Sequence, residues 1–186
     1  MNRLLMLSAF VLMMVAQWWV PGKMIFDQEK VLTEGTAYKF KTRPIDPSDP
    51  FRGKYIYLQY EMNRVKQPSD SVNSNDKVYV YLEKDEEGFA KATHCSLERI
   101  DTEQDYLILE VNSIYQDSVH FNLPFNSFYM EESKAYPAEI LVRVANRDSL
   151  LNNCYGLVYI HEDTAVLNDV IVNDMPIKEY VEKHPQ

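Results

Sequence analysis

The chain has 186 residues and a formal net charge of -9, a length that suits one domain with a sizeable core. The charge argues against nucleic acid, whose phosphates it would repel, and against an anionic lipid surface met through the soluble part. Thirteen Tyr, eight Phe and only five Gly fit a β-rich domain with packed aromatic faces rather than a flexible or repetitive chain.

Residues 4–20 are apolar except for Ser8 and Gln17. Seventeen residues is the short end for a helix that crosses a bilayer. Trp18 and Trp19 stand where an aromatic belt would meet the outer interface, and Pro21-Gly22 is expected to end the helix. An uncleaved anchor and a cleaved signal peptide share this pattern. No small-x-small cleavage site stands out, because bulky Trp follows Met14 and Ala16. Residues 1–22 therefore read as a membrane anchor or signal-anchor, and 23–186 as one exported, extracytoplasmic domain. Arg3 before the span and Lys23 after it give only a small bias toward an N-terminus inside. No Cys lies near the end of the apolar run, which disfavours a lipoprotein.

Beyond the anchor, 23–36 reads as a charged connector. Residues 37–42 alternate Tyr38 and Phe40 with Lys39 and Lys41, the pattern of a half-buried strand. A loop follows in which Pro47 and Pro50 fix φ and hold Asp46 and Asp49 extended. Asp46, Ser48 and Asp49 can close local turns on backbone amides. Gly53 then stands at the entry to 55–60, Tyr-Ile-Tyr-Leu-Gln-Tyr, a β-prone run. Ile56, Leu58 and Tyr60 share one face and Tyr55, Tyr57 and Gln59 the other. Rings on both faces predict a strand through 55–63 that is covered on both sides or central to a sheet. Residues 66–76 read as an exposed, mobile loop.

Residues 78–82 and 89–95 are expected to form a hairpin turned by Asp85-Glu86-Glu87-Gly88. Residues 106–115 form a strand with Leu107, Leu109 and Val111 on one face, and 118–123 pair back with it. A short aromatic strand, 125–130, precedes 136–147. There Pro137 and the stripe Ile140, Leu141, Val144 predict a helix, with strand as the alternative. Strands at 157–160 and 165–172 flank His161-Glu162-Asp163-Thr164, and 176–183 reads as a short amphipathic helix. The fold class is mainly β: an antiparallel sandwich or partly closed barrel with one or two short helices, preceded by an N-terminal transmembrane helix.

The stretch around Gly53, Tyr55, Leu58 and Tyr60, with Asp46-Pro47 and Asp49-Pro50-Phe51-Arg52 before it, resembles the signature of the GDYXXLXY family of bacterial membrane-anchored proteins. Lys54 replaces the motif's Asp. Weaker matches are the apolar N-terminus leading to Leu32-Thr33-Glu34-Gly35, and residues 128–135 followed by Glu139. The resemblance brings no established activity. It implies a multi-pass membrane protein as partner.

The charged loop has two readings. It sets strand register, or Asp46, Asp49, Arg52, Gly53, Lys54, Tyr55, Leu58 and Tyr60 form a binding site. Cys95 and Cys154 allow a disulfide in an exported domain, or two buried free thiols. Neither has a metal-ligand partner at CxxC spacing. His94, His120, His161 and His184 show no metal spacing, and GxSxG and phosphate-binding glycine loops are absent from the sequence. Ser133 and Lys134 are adjacent, which gives a Ser-Lys peptidase little support. Glu83–Glu87 and Glu131-Glu132 read as solvated faces, with weak calcium binding as the alternative. No cofactor is expected. These features favour a membrane-anchored, non-enzymatic binding or assembly module. The alternative is a cell-envelope hydrolase that uses the charged loop.

Overall fold

The computed structural model describes residues 3–42, 55–68, 72–130 and 154–183. The first element is one long helix, α1 (Arg3–Glu34), and Pro21 lies inside it. Pro21-Gly22 therefore does not end the helix, and 23–34 is helical rather than a connector. A proline removes a single i→i−4 hydrogen bond, and long apolar turns on both sides carry the helix across the gap. The true stop is Gly35, whose N–H donates to the Val31 carbonyl at 2.9 Å. At about 1.5 Å per residue the helix is roughly 48 Å long. It is long and apolar enough to cross a membrane, and its exposed apolar surface continues past Trp19 to Met24, Ile25 and Phe26. Val31, one turn before the end, is buried where the helix meets the β9–β10 hairpin defined below.

The remainder is mostly strand, in three sheets. Four strands take the order β1 (Thr36–Lys41), β9 (Cys154–His161), β10 (Thr164–Val172) and β11 (Met175–Pro176). Two strands, β2 (Tyr55–Tyr57) and β8 (Ser127–Tyr129), form a small sheet. Five strands take the order β3 (Arg64–Lys66), β7 (Ser118–Phe121), β6 (Tyr106–Tyr115), β4 (Lys77–Lys84) and β5 (Ala90–Ser96). All strand pairs are antiparallel. The five-stranded sheet curls until its edges meet: the Cys95 thiol on β5 lies 3.5 Å from the Lys66 carbonyl on β3. The fold is thus mainly β with a nearly closed, barrel-like sheet. A short helix, α2 (Ile177–Lys183), buries Ile177 and Val181 against the core.

Turn chemistry explains the hairpins. Gln116 and Asp117 both have positive φ, as do Asn173 and Asp174, which is what tight two-residue turns require. The Asp85 carboxylate accepts from the Glu87 and Phe89 amides at 3.0 and 2.7 Å and closes the β4–β5 turn. His161-Glu162-Asp163-Thr164 is a hairpin turn as expected, with Glu162 at φ 53.

Two further expectations change. The stretch 55–63 is not one strand covered on both sides. β2 ends at Tyr57, and Gln59 is exposed. The Leu58 amide donates to the Asn126 carbonyl at 2.7 Å, Tyr60 bridges Thr42, and Arg64–Lys66 joins a different sheet. One segment therefore meets three partners, which breaks a continuous ladder. The described part of 66–76 is likewise anchored rather than mobile: Val72 is buried, and the Asn75 amide donates to the Val111 carbonyl at 2.8 Å. The expected helix at 136–147 lies outside the described residues.

Candidate functional site

Along the motif segment, Ile56, Leu58 and Tyr60 are all buried, as their shared face predicts. Tyr60 anchors the arrangement. Its ring stands edge-on to Phe40 and Phe125, with centroids at 5.9 and 5.4 Å, and Phe40 and Phe125 are themselves 4.9 Å apart. Edge-to-face geometry of this kind adds to the burial of the rings. The Tyr60 hydroxyl donates to the Phe125 carbonyl at 2.9 Å. Burial, and then the neighbouring Cys154, push its pKa well above the usual tyrosine range. Tyr60 is therefore a neutral donor at physiological pH, with its hydroxyl held in the core.

Pinning 58–60 against 125–126 leaves a cleft on the adjoining surface. It encloses about 170 Å³ between 57–63 and 121–126. Its apolar floor includes Leu58, Met62, Phe121 and Leu123, and Tyr57 and Tyr60 contribute rings. Its polar rim consists of side-chain amides from Gln59, Asn63, Asn122 and Asn126. No described lining residue carries a charge. Asn126 accepts from the Ser127 hydroxyl at 3.0 Å. Gln59, Asn63 and Asn122 make no side-chain hydrogen bond with another described residue.

Of the sequence-predicted site residues, Leu58 and Tyr60 form the wall behind this cleft. Tyr55 opens β2 opposite Tyr129. Asp46, Asp49, Arg52, Gly53 and Lys54 lie outside the described residues. The amides Gln59, Asn63, Asn122 and Asn126 were missed, although Gln59 interrupting a ring-rich run was a usable signal.

The two cysteines are free and buried, Cys95 on β5 and Cys154 on β9, so the possible disulfide is not formed. Burial pushes both thiols up to about 11; at Cys154 a hydrogen bond from Thr42 opposes the effect. Such thiols are weak nucleophiles at neutral pH. Among the described residues, no group of three or more His, Cys, Asp and Glu could hold a metal.

Fold and site together define a barrel-like β domain that grows directly out of a long apolar helix and carries a neutral cleft beside its motif strand. The profile of a family described as GDYXXLXY protein matches residues 17–166. The chain belongs to that family. The match runs from within α1 through β9 to the first residues of β10. No curated protein and no solved structure matches the chain.

Proposed function

We propose that this chain is a membrane-anchored, non-enzymatic binding or assembly module. Its domain faces the extracytoplasmic side of a bacterial inner membrane, and its partner is a multi-pass membrane protein. One observation carries the reading. α1 is apolar and exposed through Phe26, yet its last turn is built into the sheet through Val31 and Gly35. A loosely tethered domain has no use for such a joint. A helix fused to the sheet holds the domain in a fixed pose relative to the bilayer, which suits a protein that must present one face to a membrane neighbour. Val11, Met14, Val15 and Trp18 line one face of the helix at the i, i+3, i+4, i+7 spacing by which helices pack.

The test uses the full chain with a reporter after Gln186 that is active only outside the cytoplasm. Retention in carbonate-washed membranes, an active reporter, and co-purification of a multi-pass protein in mild detergent are expected. Recovery of the chain from the cytosol, or of the chain alone from the membrane, overturns the reading.

A further inference from the structure

We infer that the cleft between 57–63 and 121–126 binds an uncharged sugar unit. The inference rests on the reading of the domain as a binding module and names what the cleft would take.

Three features of the cleft select the ligand. First, none of its described lining residues is charged, so it offers an ionic ligand no counter-charge, and the net charge of -9 opposes an anion from a distance. Second, Gln59, Asn63 and Asn122 each present a donor and an acceptor with no hydrogen bond to another described residue. Hydroxyl and acetamido groups are also donor and acceptor at once, so they match side-chain amides in either orientation. Third, the cleft has the size of one ring. Its volume of about 170 Å³ is below the usual range for drug-sized ligands and takes a single pyranose, with apolar side chains beneath the ring's C–H face.

A peptide is the rival neutral ligand, and the backbone argues against it. An extended peptide binds by adding to a free strand edge. Here the Leu58 amide is bonded to Asn126, the Glu61 amide to Lys41, and the Phe121 amide to the Asn63 carbonyl. These three amides are taken, so no continuous strand edge is offered along the cleft, and the side-chain amides of Gln59, Asn63 and Asn122 do the recognition.

The experiment is calorimetric titration of the full chain in nanodiscs with triacetylchitotriose and maltotriose. Trialanine and a trisaccharide of glucuronic acid serve as comparators. Saturable binding of at least one neutral sugar is expected. Gln59→Ala with Asn122→Ala should weaken it by about tenfold or more, the size expected for two lost hydrogen bonds. Both residues are exposed, so the thermal melt should not move. Failure of both neutral sugars to bind, binding that ignores the substitutions, or tighter binding of trialanine or the acidic sugar overturns the inference. Membrane retention and partner recovery are read separately, so an empty cleft leaves the anchored-module reading standing, and a cytosolic chain is detected whatever the sugar result.

Discussion

The phenolic oxygen of Tyr60 stands 2.9 Å from the point that a β-carbon on Gly156 would occupy. Gly156 lies mid-strand in β9, opposite Phe40 on one side and Val170 on the other. Glycine weakens a strand interior unless another group needs the space. Here Tyr60 needs it, and the Leu167 Cδ1 methyl closes in to 3.1 Å from the same point. Gly156→Ala should therefore overpack the core and cost ~1–3 kcal/mol. The readout is the urea midpoint of the full chain in detergent. Tyr60→Phe leaves the Phe125 carbonyl without its donor and should cost ~1–3 kcal/mol. In the Tyr60→Phe background Gly156→Ala should still destabilise, because the Tyr60 ring carbon Cε1 lies 3.2 Å from the same point and remains. Full rescue by Tyr60→Phe would show that the hydroxyl alone demands the glycine.

That contact also marks the limit of sequence reading. Alternation placed Ile56, Leu58 and Tyr60 on one buried face, because a strand's side-chain period is local. It could not show that the segment changes partner at Tyr60 and again at Arg64, since partner choice is set by residues far away in the chain. The cleft was hidden for the same reason: 57–63 and 121–126 are joined by long-range bonds, from the Leu58 amide to the Asn126 carbonyl and from the Phe121 amide to the Asn63 carbonyl. Pro21 misled differently. Its turn signal holds in water, yet within a long apolar helix the lost hydrogen bond is tolerated. The real stop, Gly35, was visible as a glycine just before an alternating strand.

Gly35 carries a prediction of its own. A β-carbon there would collide with the Val31 carbonyl oxygen and come within 2.9 Å of the Ile160 carbonyl oxygen. Both are backbone atoms, so neither can swing aside as a flexible side chain would. Gly35→Ala should push the helix end off β9, at ~1–3 kcal/mol, and expose Val31. Amide exchange at 31–36 and at Ile160 should quicken while the β4–β5 hairpin keeps its protection. By contrast, Glu34→Gln removes a partly exposed ion pair to Lys30 and a contact with the His161 ring, each at 3.7 Å, and should change stability by less than about 1 kcal/mol.

The thiols predict a pH dependence. Burial raises Cys95 and Cys154 from the ordinary thiol value of 9.0 to about 11 in the folded chain. A group raised in the fold contributes stability that is fully present below its unfolded pKa and is lost as pH rises through the folded one. Stability should thus hold at neutral pH and fall as pH rises from 9.0 to about 11, with Tyr60 and Tyr38, both raised by burial, adding to the loss above their ordinary value of 10.0. Urea midpoints taken across that range check the slope. Iodoacetamide at pH 8 should label both thiols slowly in the folded chain and rapidly in urea. Rapid labelling of the folded chain would contradict their burial.

Whether the helix enters a bilayer, and how far, can be read by the cost of a charge at each depth. If the span is centred on the apolar run 4–26, Val15 lies near the midplane and Ile25 near its edge. An arginine at a span's centre costs ~2.5–3.5 kcal/mol for insertion, whereas one near the end reaches the interface with its long side chain at little cost. Val15→Arg should therefore release much of the chain from carbonate-washed membranes, and Ile25→Arg should leave it bound. Both side chains are well exposed, at 61% and 64%, so neither substitution disturbs the β domain itself. Equal loss from the two would place Ile25 deep in the hydrocarbon and shift the span toward the domain. Equal retention would mean that the helix does not cross, and that the joint at Gly35 holds the domain against something other than a bilayer.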